Sequence, residues 1–113
     1  MKTSELTGMD LFYWVAMAEG KQPENVNKDG RSWVRCKGEL APFIATKWEV
    51  AGPIIARERI TLLPKPEKWT AMAGSASQIL HVAHGLTPQL AAMRAYLLSR
   101  YGTDVNLVPQ LHL

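Results

Sequence analysis

Two histidines in the second half of the chain have the spacing of a metal motif. His81 and His84 lie three positions apart, which would place both imidazoles on one face of a helix. A zinc site needs three or four ligands, however, and no cysteine or carboxylate lies near the pair in the sequence. Asp104 or Cys36 would have to be brought there by the fold. We therefore expect ordinary polar roles for these histidines, with no metal and no cofactor.

Cys36 is the only cysteine in the chain. It could pair with a histidine as nucleophile and base, but no protease or hydrolase signature surrounds it. A free cysteine otherwise behaves as a small apolar side chain, so we expect a buried structural residue. One cysteine allows no internal disulfide, whereas a secreted chain of this size more often carries cysteines in pairs. We therefore expect a cytoplasmic location.

A basic and aromatic cluster occupies the middle of the chain. Its members are Arg57, Arg59, Lys65, Lys68 and Trp69. If Arg57 and Arg59 share one face of a strand, they could follow a phosphate backbone while Trp69 stacks on a base. Glu58 and Glu67 dilute the positive charge. The other reading is a solvated strand face beside a core tryptophan.

Trp48 and the Gly52-Pro53 dipeptide form a third candidate site. Glycine lets the backbone approach a ligand closely, and an exposed tryptophan offers a stacking surface. The further glycines and the Lys-Ser or Lys-Thr pair of a phosphate loop are absent. One reading is a small-ligand protein or enzyme centred on this turn, with Arg94 and the two histidines contributing. The other is a tight turn packed under Trp48. No catalytic residue is assigned, since no paired carboxylates are evident.

The composition is that of one globular domain spanning residues 1–113. The chain has 47% hydrophobic and 20% charged residues and a net charge of +3, so it permits nucleic-acid binding without arguing for it. The first six residues have no apolar signal-peptide core, and no apolar run approaches the length of a membrane span. We expect no association with a membrane.

Local patterns in the first half predict one helix and one hairpin. The helix begins after Thr7, which can cap it, and ends at Gly20. Asp29-Gly30 is a tight-turn dipeptide that could join strands at 24–28 and 31–36, although a long mobile loop over 21–32 remains the alternative. Residues 38–56 contain two glycines and two prolines and are expected to be irregular.

The second half predicts strands followed by a helix. Alternation over 57–63 is typical of a strand, residues 64–67 of a turn and residues 69–72 of a return strand. Residues 74–85 fit either a helical turn or a buried strand. Thr87, Pro88 and Gly102 mark the start and end of a helix, and residues 105–108 could add a short strand. The fold class expected is α+β, with two main helices, near the N- and C-termini, packed on a small mostly antiparallel sheet.

Three blocks of sequence resemble the phage NinX-like family. The first covers residues 2–8 and a helix carrying Tyr13-Trp14-Val15-Ala16 and Ala18-Glu19-Gly20. The second is Trp48, Gly52-Pro53-Ile54-Ile55, Arg57-Glu58, Ile60 and Trp69, and the third is Gly85, Thr87-Pro88, residues 90–96, Ser99-Arg100, Gly102 and Asp104-Val105. Ala51 and Ala56 depart from the family pattern, and residues 21–44 match it poorly. The resemblance implies a phage or prophage origin and residence in the bacterial cytoplasm, and it implies no reaction.

These observations predict a phage-encoded accessory protein that binds another macromolecule rather than acting as an enzyme. The four tryptophans supply aromatic anchors of the kind enriched at interfaces. A protein partner is the leading expectation, and self-association as a homodimer is its simplest form. The alternatives are a nucleic-acid-binding module built on the 57–69 cluster and a small-ligand protein built on the Gly52-Pro53 turn.

Overall fold

The computed structural model describes residues 1–74 and 79–112. It contains three helices and two three-stranded sheets, which confirms the α+β class. The helices are α1 (Gly8–Ala18), α2 (Trp48–Glu58) and α3 (Pro88–Tyr101). The strands are β1 (Pro23–Lys28), β2 (Arg31–Cys36), β3 (Thr61–Pro64), β4 (Trp69–Gly74), β5 (Leu80–Gly85) and β6 (Gln110–His112).

The first sheet has the order β2-β1-β6. The predicted hairpin is confirmed: β1 and β2 pair antiparallel across Asp29 and Gly30, whose φ angles of 51° and 74° suit a tight hairpin turn. β6 pairs parallel with β1. The strand expected at 105–108 is therefore displaced to 110–112. Val105 and Val108 are buried in the core instead, and the Val105 amide donates to the Met1 carbonyl at 2.9 Å.

Helix α2 occupies a segment that was expected to be irregular, so that prediction was wrong. Pro53 lies inside the helix, where it lacks the N–H that would bond the carbonyl of Glu49. The helix nevertheless buries Ala51 and Ile54 on one side. Burial of an amphipathic face stabilises helices more than intrinsic propensity does, and here it outweighs the Gly52-Pro53 penalty.

The end of α2 also corrects the predicted strand at 57–63. Arg57 belongs to the last turn of the helix, and Arg59 follows it in the left-handed conformation with φ 52° and ψ 47°. The strand itself begins only at Thr61. The return strand at 69–72 is confirmed and extends to Gly74, and the turn between them is closed by the Lys65 amide donating to the Lys68 carbonyl at 2.8 Å.

The second sheet has the order β3-β4-β5 and is wholly antiparallel. β5 resolves the ambiguity over 74–85 in favour of a strand, with residues 75–78 of that stretch outside the described residues. The inner face of the second sheet carries small residues of β4 and β5 that let α3 approach closely: Ala71, Ala73, Ala83 and Gly85. A Cβ on Gly85 would lie 2.7 Å from the Ala91 backbone nitrogen.

Both terminal helices form as predicted. In α3 the Thr87 hydroxyl accepts a hydrogen bond from the Leu90 amide at 3.2 Å, and Gly102 follows the helix with φ 77°. Helix α1 starts directly after Thr7, although the Thr7 side chain makes no capping hydrogen bond. Met93, Tyr96 and Leu97 of α3 are fully buried at the centre of the core.

Candidate functional site

Arg57 lies in an ion-pair network between helices. Its guanidinium donates to both carboxylate oxygens of Glu19, at 3.0 and 2.7 Å, and to Glu58 at 2.8 Å. Glu19 follows α1 as its C-cap, whereas Arg57 and Glu58 end α2. The bidentate pair therefore joins the ends of two helices.

Tyr96 of α3 completes this network from the core. Its hydroxyl donates to Glu19 Oε2 at 2.5 Å and accepts from Arg57 Nη2 at 3.3 Å. The guanidinium carbons of Arg57 and Arg100 lie 5.9 and 5.2 Å from the Tyr96 ring centre, within the range of cation–π attraction. We call Glu19, Arg57 and Tyr96 the three-helix network.

The network shifts the pKa of each of its members. Burial opposes ionisation of Glu19, but hydrogen bonds from Arg57 and Tyr96, with the charges of Arg57 and Arg100, outweigh it and lower the Glu19 pKa. Burial, followed by the hydrogen bond to Glu19, raises the pKa of Tyr96. Hydrogen bonds to Glu19 and Glu58 raise the pKa of Arg57. The charge of Arg57 is thus countered within the protein rather than offered to a phosphate.

The basic cluster predicted for nucleic acid is not one strand face. Arg57 and Arg59 end a helix, so their expected alternation on a strand was wrong. Arg59 precedes β3, whereas Lys68 lies in the turn beyond its far end. Trp69 is partly buried against the core. The exposed charges of Arg59 and Lys68 are thus separated by the length of a strand.

Trp48 and Pro53 lie on α2, beside a shallow cleft. Trp48 is the first helical residue and is 53% exposed. Pro53 lines the cleft, whose volume is about 420 Å³; the other lining residues are Glu19, Lys21, Glu39, Ala41, Pro42, Phe43, Ile44, Lys47, Glu49, Val50 and Ile54. The predicted Gly52-Pro53 turn was wrong, because both residues are helical. Lys21 and Glu39 pair across 3.2 Å, so much of the charge in the cleft is matched internally.

The side chain of Arg94 makes hydrogen bonds to the backbone of two other segments of the chain. Its Nε donates to the Leu6 carbonyl and its Nη1 to the His84 carbonyl, each at 2.8 Å. Burial lowers the pKa of its guanidinium, and the charge of Glu5 opposes that shift. Arg94 thereby ties the N-terminal segment and the end of β5 to α3.

The two histidines lie on a strand, where a spacing of three directs them to opposite faces. His84 Nδ1 is 2.9 Å from the Thr70 hydroxyl. Within residues 1–74 and 79–112, no group of three His, Cys, Asp or Glu residues is placed to hold a metal ion. Cys36 is buried, and burial with a smaller contribution from Glu39 raises its pKa to about 11.

Exposed apolar side chains also lie on the face of the second sheet that points away from α3. Residues paired across the strands share this face: Leu63 with Thr70, Met72 with Val82, and Gly74 with Leu80. Leu80 is 63% and Val82 48% exposed. We call Leu63, Met72, Leu80 and Val82 the outer sheet face. The sequence analysis did not identify this face. The large residues Leu80 and Val82 nevertheless alternate with the small residues Ala83 and Gly85, which is a pattern typical of a strand with two different faces.

These features define a small α+β protein whose candidate sites are an open cleft, an internal ion-pair network and an exposed apolar sheet face. A sequence model described as "Bacteriophage P22, NinX" matches residues 2–100. The chain therefore belongs to the NinX family of phage proteins, which confirms the resemblance and identifies a phage accessory protein. No curated protein matches the sequence. No helix in the described part of the chain is long and apolar enough to cross a membrane.

Proposed function

We propose that this phage accessory protein acts in the host cytoplasm by binding another protein through the outer sheet face. The observation that carries the proposal is the concentration of exposed apolar side chains there. Among the described residues, three of the ten large apolar side chains that are exposed belong to this face: Leu63, Leu80 and Val82. Contiguous apolar surface of this kind marks interaction sites, whereas scattered single residues do not.

The residue composition of the outer sheet face also suits a protein partner better than a nucleic acid. Thr61, Thr70 and His84 complete the rows of the face, so none of its positions carries a lysine or arginine. A phosphate backbone is bound chiefly by such cations. An interface core is instead depleted in charge and rich in apolar groups.

The test compares two exposed leucines in a binding assay. The purified chain, Leu80→Lys and Leu107→Lys are each immobilised and exposed to a lysate of phage-infected cells and to the soluble chain itself. Leu107 is 78% exposed and lies outside the second sheet, so its substitution controls for added charge. We expect a retained protein to be lost with Leu80→Lys and kept with Leu107→Lys.

Equal retention by all three proteins would overturn the proposal, since the face would then contribute nothing to binding. Capture of DNA or RNA that weakens steeply with salt and is unaffected by Leu80→Lys would move the function to a nucleic-acid surface instead.

A further inference from the structure

The edge of the second sheet formed by β5 differs from the other strand edges of the described chain. Edge strands invite pairing by another strand, and proteins usually protect them with charges, proline, short length or a covering segment. β3, at the opposite edge, has four residues and ends on Pro64. β2 carries Arg31 and Arg35, and the Phe43 amide bonds the Val34 carbonyl, which covers part of that edge.

Among the described residues, β5 has little of this protection. Its six residues, Leu80–Gly85, include no proline and no lysine, arginine or carboxylate. Among the described residues its backbone has no hydrogen-bonded neighbour beyond β4 apart from Arg94, which reaches the His84 carbonyl. β6 is also an edge, but it has three residues and follows Pro109.

We propose that β5 pairs antiparallel with β5 of a second copy of this chain, across a twofold axis at Val82, so that two three-stranded sheets become one of six strands. This goes beyond the proposed function, because the backbone edge of β5 makes the contact and the outer sheet face stays open to another protein. A strand without lysine, arginine or carboxylates and with apolar side chains at alternate positions complements this edge, and β5 itself has both properties, with Leu80 and Val82 at alternate positions.

The register follows from how the ends of β5 are engaged. Gly85 is covered by Leu90 and Ala91 of α3, and the remaining residues, 80–84, are centred on Val82. An isologous antiparallel pair about that centre sets Val82 beside its own symmetry mate and Leu80 beside His84. Side chains directly opposite in such pairs share a face, so the two outer faces merge into one apolar strip.

The resulting contact is expected to be modest. A few paired residues and the side chains on one face give an interface at the small end of the range, where association is weak and transient. We therefore expect the molar mass to rise with concentration from 12.6 kDa towards twice that value.

The experiment is light scattering with sedimentation velocity over a hundredfold concentration range, on the full chain, Val82→Lys and Thr61→Lys. Thr61 and Val82 both pair with Met72 and occupy one row of the same face, but on opposite edges of the sheet. Val82→Lys places two like charges at the twofold axis and should leave a monomer, whereas Thr61→Lys should dimerise like the unmodified chain. In a second measurement, Val82→Cys should form an intermolecular disulfide under mild oxidation and Thr61→Cys should not, since opposed residues in an antiparallel pair have the required separation.

Three outcomes would overturn the edge pairing. A dimer lost equally in Val82→Lys and Thr61→Lys would indicate packing of face on face. A dimer that survives Val82→Lys would place the interface elsewhere. A monomer at every concentration would show that β5 does not pair with a second copy, whereas the proposed function is tested separately by the Leu80→Lys and Leu107→Lys comparison with lysate proteins.

Discussion

Removal of the Tyr96 hydroxyl tests the three-helix network directly. Tyr96→Phe keeps the buried ring and its two guanidinium contacts but deletes the donor to Glu19, which is 2.5 Å away. A hydrogen bond to a charged group contributes about 1.5–3 kcal/mol. Arg57 still pairs with both Glu19 oxygens in the variant, so we expect a loss near the lower bound, about 1.5 kcal/mol in the free energy of unfolding at pH 7.

The expected effect of pH follows from the lowered Glu19 pKa. Because folding holds that pKa below its ordinary value of 4.5, the stability contributed by the carboxylate is complete above pH 4.5 and is lost as pH falls through the lowered value. The hydroxyl helps to lower the pKa, so the stability difference between the unmodified chain and Tyr96→Phe should shrink as the carboxyl becomes protonated.

The assay is urea unfolding followed by tryptophan fluorescence at several pH values between 3 and 7, with Tyr101→Phe as the matched control. Tyr101 is also on α3, and the described residues provide no hydrogen-bond partner for its hydroxyl. Tyr101→Phe should change stability by less than about 0.5 kcal/mol. If the two variants unfold at the same urea concentration, or if their difference is constant with pH, the network does not stabilise the fold as argued.

Three further predictions concern the core. Gly85→Ala should lower the free energy of unfolding by about 1–3 kcal/mol, because the added Cβ would lie against the backbone of α3. The control Gly74→Ala has open space around its Cβ and should change the free energy of unfolding little. Equal urea midpoints for the two variants would contradict the close packing. The buried amide of Asn25 has no partner among the described residues, so Asn25→Leu should raise the free energy of unfolding by about 1–3 kcal/mol. The control Asn27→Leu breaks hydrogen bonds on both sides of its amide and should not raise it. A lower free energy of unfolding for Asn25→Leu would show that the Asn25 amide is satisfied. Folding raises the pKa of the Cys36 thiol from 9.0 to about 11, so its thiolate fraction is smaller in the folded chain than in urea. At pH 8 the folded chain should therefore react with a disulfide reagent about a hundredfold more slowly. Similar rates would mean that the thiol is accessible and ionised.

The elements that were predictable from sequence have strong local signals. Thr87, Pro88 and Gly102 bracket α3, and Asp29-Gly30 supplies the positive φ angles of the β1–β2 turn. Each signal acts within a few residues, through a hydrogen bond or an allowed dihedral angle. Such effects are visible in a short window of sequence, and the structure confirms them.

Helix α2 and the candidate sites depend on distant contacts. Locally, Gly52-Pro53 favours a turn, and only the burial of Ala51 and Ile54 against the rest of the core makes a helix there. Because α2 extends to Glu58, Arg57 and Arg59 do not share a strand face, and the nucleic-acid hypothesis depended on that face.

By itself, the sequence determined the α+β class, the two terminal helices and membership of the NinX family, whereas the choice between a hairpin and a loop over residues 21–32 was made by the structure. Tertiary structure alone decided that Arg57 meets Glu19 across 38 positions and that Tyr96 reaches the same carboxylate across 77. It also decided which side of β5 is exposed, because α3 packs on the alanine and glycine side and leaves Leu80 and Val82 uncovered. Pairing of charges and burial of a face depend on what the rest of the chain brings near, and no local pattern of residues contains that information.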